Sequence, residues 1–114
     1  MDNCLFCKII KGDIPCEKIY ENDLLLCFRD INPEAPQHVL IIPKKHISNI
    51  NELEAQDASI ISEVYLAAKN IAKILCIKDT GYRVVTNCGE DGGQTVNHIH
   101  FHLLGGRQMK WPPG

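Results

Sequence analysis

The segment NHIHFHLLGG, residues 97–106, places three of the chain's five histidines at alternating positions, His98, His100 and His102. In an extended strand, side chains alternate between faces, so the three imidazoles would share one face while Ile99, Phe101 and Leu103 occupy the other. Same-face neighbours then lie about 6.5–7 Å apart, close enough to act together on a small ligand. Three chemistries suit such a row. The histidines could be polar groups of a half-exposed sheet, ligands of a catalytic metal with one open position for water, or a nucleophile with imidazole neighbours that tune its protonation. Spacing alone does not separate the last two.

The preceding turn, GEDGGQTVNH, points towards phosphate. Gly92 and Gly93 allow backbone N–H groups close to an anion, and the Gln94 amide and Thr95 hydroxyl are further donors beside the imidazole row. A hairpin that requires positive φ would account for the same glycines. Asp30, at the end of FRD, is a carboxylate suited to ribose hydroxyls or to capping the loop that follows. Cys4 and Cys7 in CLFC have the spacing of half a zinc site, for which His38, His46 and His98 are candidate partners. Lys44 and Lys45 read as solvated lysines.

The elements that must position these groups are those of one domain, residues 1–114, with no repeat or linker. CEKIYEN and DLLLCFRD read as two strands turning at Asn22 and Asp23. HVLIIP is a strand stopped by Pro43. From Asp57 to about Cys76, apolar residues recur at Ile60, Val64, Ala67 or Ala68, Ile71 and Leu75, the pattern of a helix with one buried face. GYRVVTNCG and VNHIHFHLLGG are two further strands around the glycine-rich turn, expected to pair antiparallel. The fold class is therefore α+β, an antiparallel sheet with one long helix packed on one face.

Composition narrows the function classes. A net charge of −2 and a pI near 6.2 oppose sequence-independent nucleic-acid binding. No segment has membrane-spanning length, and the N-terminus lacks a signal-peptide pattern, so the sequence predicts a cytoplasmic protein. In that compartment the six cysteines are expected as thiols or ligands, with Cys16, Cys27, Cys76 and Cys88 as ordinary buried thiols.

Taken together, HIHFHLL, FRDINPEAPQHVLIIPKKHIS, GYRVVTNCGEDGGQTVNHIHFHLLGGRQMKWPPG and KIIKGDIP resemble the histidine triad (HIT) superfamily, and within it the Hint branch of nucleotide-binding proteins. The likeness runs from about Cys4 to Gly114. It implies a homodimer whose sheets join, and hydrolysis of the P–N bond of nucleoside 5'-phosphoramidates, adenosine ones preferred, through a covalent nucleotidyl-histidine. By the resemblance, His100 is the nucleophile, His98 and His102 flank it, and His38 completes the polar network. Asp30 matches the ribose-binding acid, and Phe6, Ile9, Phe28 and Ile31 match the purine pocket. Asn87, Gly93, Gln94, Thr95, His100 and His102 match contacts to the phosphate of a nucleotide such as AMP.

CLFC is similar to the zinc-bearing subset of the superfamily, which implies a structural zinc on Cys4, Cys7, His46 and His98 that the chemistry itself does not require. Lys110 stands where the family often has histidine, in a tail implied to shape leaving-group preference. Two other readings accompany this one: a nucleotide- or partner-binding regulatory protein with vestigial activity, and a zinc-dependent hydrolase that uses the triad as ligands.

Overall fold

The computed structural model describes residues 3–114. Its centre is a five-stranded, wholly antiparallel sheet in the order β1-β2-β3-β5-β4, with β1 Lys18–Glu21, β2 Leu25–Arg29, β3 Gln37–Pro43, β4 Tyr82–Thr86 and β5 Phe101–Gly105. The β1–β2 hairpin turns where the polar pair predicted it. Asn22 Oδ1 accepts the N–H groups of Leu24 and Leu25, both at 2.9 Å, which bends the backbone and satisfies two donors at once.

The long helix α2, Ala58–Ile74, packs on one face of the sheet. Its buried stripe of Ile60, Val64, Ala67, Ala68, Ile71 and Ala72 meets Leu25, Cys27, Val39, Ile41, Ile99, Phe101 and Leu103. The alternate residues of β5 therefore face the helix, as their apolar character required. Asp57, just before α2, is buried and receives Lys45 Nζ at 2.6 Å, while the Lys45 side chain itself stays half exposed to solvent, as the sequence suggested. Among the described residues no helix is long and apolar enough to cross a membrane.

Four differences from the sequence reading bear on the site. A short helix, α1 (Leu5–Lys11), lies on the other face of the sheet, where Phe6 joins Leu26, Phe28, Leu40 and Ile42. CLFC thus opens a helix: Cys4 Sγ accepts the Cys7 N–H at 3.3 Å, and Gly12, at φ +86°, ends it in the left-handed conformation that glycine adopts without strain. Secondly, β3 is buried on both faces, which explains its unbroken run HVLIIP.

Thirdly, β5 begins only at Phe101 and not at Val96. Its ladder with β3 starts at Ile41↔Phe101 and does not extend to Pro43, which has no N–H to donate. The Pro43 carbonyl instead takes the His98 ring, and the Ile99 N–H bonds Ile47 O at 2.6 Å. Lastly, of the four cysteines expected to be buried only Cys27 is. Cys16 and Cys88 are half-buried, and Cys76 is exposed, at φ +60°, where it ends α2 as a glycine commonly would.

Ile71 has no solvent exposure and sits amid the apolar layer between α2 and the sheet. Ile71→Ala is expected to cost about 2–5 kcal/mol in denaturant unfolding, whereas Lys69→Ala, on the solvent side, should stay within about 0.5 kcal/mol.

Candidate functional site

The open face of the sheet carries a cavity of about 240 Å³ between α1, the end of β2 and the residues leading into β5. Of the residues expected to hold a nucleotide, it is lined by Phe6, Phe28, Asp30, Ile31, Thr95, His100 and His102. The aromatic walls are built by burial. Phe6 stands edge-on to Phe28, with centroids 5.9 Å apart, and to His100 at 5.0 Å. Ile31 is 90% exposed at the rim. Ile9 does not line the cavity but packs beneath it against the Phe6 cluster. Asn87 and His38 lie beside His102 in an adjoining groove. The sequence reading did not include Leu5, Pro15, Cys16 and Leu40 in the lining. Leu40 was recoverable, because it alternates with His38 on β3 and pairs with His102 on β5.

Four of the five histidines, His38, His98, His100 and His102, are held by hydrogen bonds that select which ring nitrogen carries the proton. His98 Nε2–H donates to Pro43 O at 2.8 Å, leaving the Nδ1 lone pair free. His100 Nδ1–H donates to His98 O at 2.8 Å, which leaves Nε2 as a lone pair in the cavity wall. The His100 carbonyl in turn accepts Thr86 Oγ1–H at 3.0 Å, pinning the backbone to β4. His38 Nδ1 accepts the Glu34 N–H at 3.0 Å, so its Nε2–H is available to His102 Nδ1 at 2.9 Å. His102 must then carry its own proton on Nε2, and that atom is the one buried side-chain nitrogen or oxygen among the described residues with no partner. The outcome is an acceptor nitrogen on His100 and a donor N–H on the adjacent ring, with centroids 5.1 Å apart. Such a pair can attack an electrophile and protonate what leaves it.

Burial also keeps these rings neutral. It pushes the imidazoles of His38, His98 and His100 below their ordinary value, and burial reinforced by the neighbouring His100 and His38 brings His102 down to about 4. Asp30 opposes the shift at His102. Its Oδ2 lies 3.5 Å from His38 Nε2, while Oδ1 accepts the Asn32 N–H at 2.8 Å and shapes the loop after β2.

The three triad histidines do not converge on one point. His98 turns instead to Cys4, Cys7 and His46, which with it form a group able to hold a metal ion. Its Nδ1 is 3.4 Å from Cys4 Sγ, 3.6 Å from Cys7 Sγ and 3.1 Å from His46 Nδ1, and Cys7 Sγ is 3.4 Å from His46 Nδ1. Metal–sulfur and metal–nitrogen bonds of about 2.3 and 2.05 Å meeting at tetrahedral angles give edges of roughly 3.6 Å for S···N and 3.3 Å for N···N. The four ligand atoms therefore fit a tetrahedral cation, and the Pro43 carbonyl supplies the outer hydrogen bond that orients a ligating imidazole. With all four positions taken by protein, no site remains for a metal-bound water.

The glycine-rich loop is more self-contained than its sequence suggested. Gly93 N–H closes a turn on Glu90 O at 3.0 Å, and Gln94 N–H bonds Gly89 O at 3.0 Å, so neither amide is aimed into the cavity. The Gln94 side chain donates to Ser48 O at 2.7 Å and Val96 O at 3.0 Å and accepts from Gly89 N at 3.0 Å. It ties the loop to the segment after His46. A Cβ on Gly92 would meet Cys88 O at 2.5 Å, so that position must be glycine for the loop to close. Thr95 remains as the loop's donor at the cavity.

Two outcomes follow. X-ray absorption of the metal-loaded protein should count two sulfur and two nitrogen ligands, and Cys7→Ser should lose one sulfur and weaken retention against a chelator. The neutral ring favoured at His102 makes the unfolded chain bind more protons as pH falls below about 6.5, so stability is full above that value and is lost progressively towards about 4. The denaturant midpoint of His102→Gln should fall less steeply over that window than that of the parent protein.

Comparisons with known proteins identify the family and the fold. A family model for the HIT domain matches residues 11–109. The chain is 50% identical over 112 residues to a 14 kDa zinc-binding protein of Zea mays, covering 96% of this chain and 87% of that one. It superimposes on the crystal structure of a HIT family hydrolase from Legionella pneumophila Philadelphia 1 with a TM-score of 0.96 at 52% identity, covering 98% of this chain and 100% of that one. For a histidine triad nucleotide-binding protein of Candida albicans the TM-score is 0.82 at 38% identity, with 89% and 73% of the two chains covered. A match across nearly the whole length, together with the alternating histidines and the sheet that presents them, makes this chain a member of the HIT family.

Proposed function

We propose that the protein is a hydrolase of nucleoside 5'-phosphoramidates, adenosine ones preferred, acting through a covalent nucleotidyl intermediate on His100. The observation that carries this reading is the pairing of a lone pair at His100 Nε2 with an unpartnered N–H at His102 Nε2. In the first step His100 Nε2 bonds to phosphorus as the P–N bond breaks, and the His102 Nε2 proton passes to the leaving nitrogen, the negative charge left on the His102 ring being offset by the positive charge of the phosphorylated His100 imidazole beside it. An amine departs neutral rather than as an amide anion, which is the purpose of a general acid here. Water then attacks phosphorus, His102 takes a proton from it, and the His100–phosphorus bond breaks to release the nucleoside monophosphate. Both imidazoles return to their starting state.

The remaining roles follow from position. The apolar walls at Phe6 and Phe28 suit a purine, Asp30 suits ribose hydroxyls, and Thr95 and Asn87 are donors for the phosphoryl oxygens, where charge stabilisation is the main catalytic demand. The Zea mays relative's zinc-binding name and the ligand geometry support zinc on Cys4, Cys7, His46 and His98. When bound, zinc would act as a clamp between α1 and the approach to β5, without entering the reaction. Thiolate ligands and six free cysteines suit a reducing compartment such as the cytoplasm. Among the described residues β4 is an edge strand with no partner on its outer side, which supports a homodimer that continues the sheet into a second copy.

Purified protein should cleave adenosine 5'-phosphoramidate, and a rapid quench should capture one nucleotidyl group on His100. His100→Ala should lose at least about a thousandfold in kcat/KM with metal content unchanged. His102→Ala should lose more on substrates with strongly basic amine leaving groups than on those with weakly basic ones. Equal activity in the parent protein and His100→Ala would overturn the reading.

A further inference from the structure

Between the nucleotide cavity and the adjoining groove stand three groups that can ligate a cation, Asp30, His38 and His102. The trio shares no residue with Cys4, Cys7, His46 and His98, and one ligand atom from each of its members lies within 4.8 Å of the other two. His38 Nε2 is 2.9 Å from His102 Nδ1 and 3.5 Å from Asp30 Oδ2. Bonds of about 2.05 Å from one ion to nitrogen and oxygen give ligand–ligand edges of roughly 2.9 Å in an octahedron and 3.3 Å in a tetrahedron. The ligand atoms around His38 Nε2 therefore already stand at the spacing that a shared ion requires.

Two imidazoles and a carboxylate suit a transition-metal ion such as nickel or zinc, whereas magnesium and calcium prefer oxygen ligands. Burial holds the His38 ring neutral, and burial with its imidazole neighbours does the same at His102, so protons in solution compete little for these nitrogens at neutral pH. The proton that His38 Nε2 donates to His102 Nδ1 occupies the place of the ion. It makes way by moving to His38 Nδ1. The Glu34 N–H, which donates to that atom at 3.0 Å, belongs to an exposed residue and can turn to water instead. Three protein ligands leave positions open to solvent, so an ion here exchanges more readily than one held by four.

We infer that Asp30, His38 and His102 form a second, exchangeable site for a divalent transition-metal ion, and that its occupancy competes with nucleotide. Competition follows from the single free oxygen of Asp30. Its Oδ1 accepts the Asn32 N–H at 2.8 Å, which leaves Oδ2 for either the ion or the ribose hydroxyls. The ion also sets a divalent charge beside His100, where the positive nucleotidyl imidazole must form. The competition rests on the nucleotide placement proposed above, whereas the ion site stands on its own ligands.

The test is a calorimetric titration of zinc-loaded protein, its thiolate cluster filled beforehand, with nickel chloride. One nickel per chain should bind with the zinc content unchanged, and magnesium chloride should give no binding heat. Asp30→Asn and His38→Gln should each weaken nickel at least about tenfold. Saturating AMP should weaken it about fivefold or more. Absence of nickel binding, or binding indifferent to both substitutions, would overturn the ion site. Nickel affinity that is unchanged by bound AMP would overturn the competition. Failure of AMP to bind the nickel-free protein would overturn the competition and the nucleotide reading together, and the two substitutions would still decide the ion site. Asp30→Asn, at a half-exposed carboxylate, gives the answer even if the buried His38→Gln does not fold.

Discussion

The hydrogen bond from His98 Nε2–H to the Pro43 carbonyl is the constraint on which the site depends. It settles the His98 tautomer, sends Nδ1 towards Cys4, Cys7 and His46, and holds the ring at the end of β3 where proline has ended the ladder. The backbone of the same residue then offers its carbonyl to His100 Nδ1–H. One residue therefore joins the cluster able to hold a metal ion to the ring with the free lone pair, through its side chain on one side and its main chain on the other. Phe6 adds a second link, because α1 begins at Cys4 and Phe6 packs edge-on against both His98 and His100.

This arrangement gives three chemically identical side chains three different surroundings. Burial disfavours the charged form of every ring in the cluster, and fixed carbonyl or amide partners then decide where each single proton sits. A chain of decisions runs from the Glu34 amide through His38 to His102, and another from the Pro43 carbonyl through His98 to His100. They meet where His100 and His102 face the cavity together. An isolated imidazole in water exchanges tautomers freely, so this order comes from the sheet rather than from the residues themselves.

Much of this was legible in the sequence because it rests on periodicity. The helix around Ile60 to Ile71, the hairpin at Asn22, the α+β class and the opposite faces of His102 and Leu103 follow from spacing that the structure repeats. The Cys4, Cys7, His46 and His98 cluster also stands as the family resemblance implied. What was not legible depends on long-range partners. Helix α1 is only seven residues long and is capped by a thiol, so neither its length nor its cap announces it. The late start of β5 requires knowing that Pro43 lies opposite. The enclosed amides of Gly93 and Gln94 could not be foreseen either, since a glycine-rich turn reads the same whether its N–H groups face a phosphate or its own carbonyls.

The central claim is that His100 presents a lone pair at Nε2 while His102 presents a proton there. Long-range proton–nitrogen correlation spectra of the metal-loaded protein, with the imidazole nitrogens labelled and assigned by single substitution, read this directly at neutral pH. The account predicts the Nδ1–H tautomer at His100 and the Nε2–H tautomer at His98, His38 and His102. An Nε2–H tautomer at His100, or an imidazolium at His102, would contradict it.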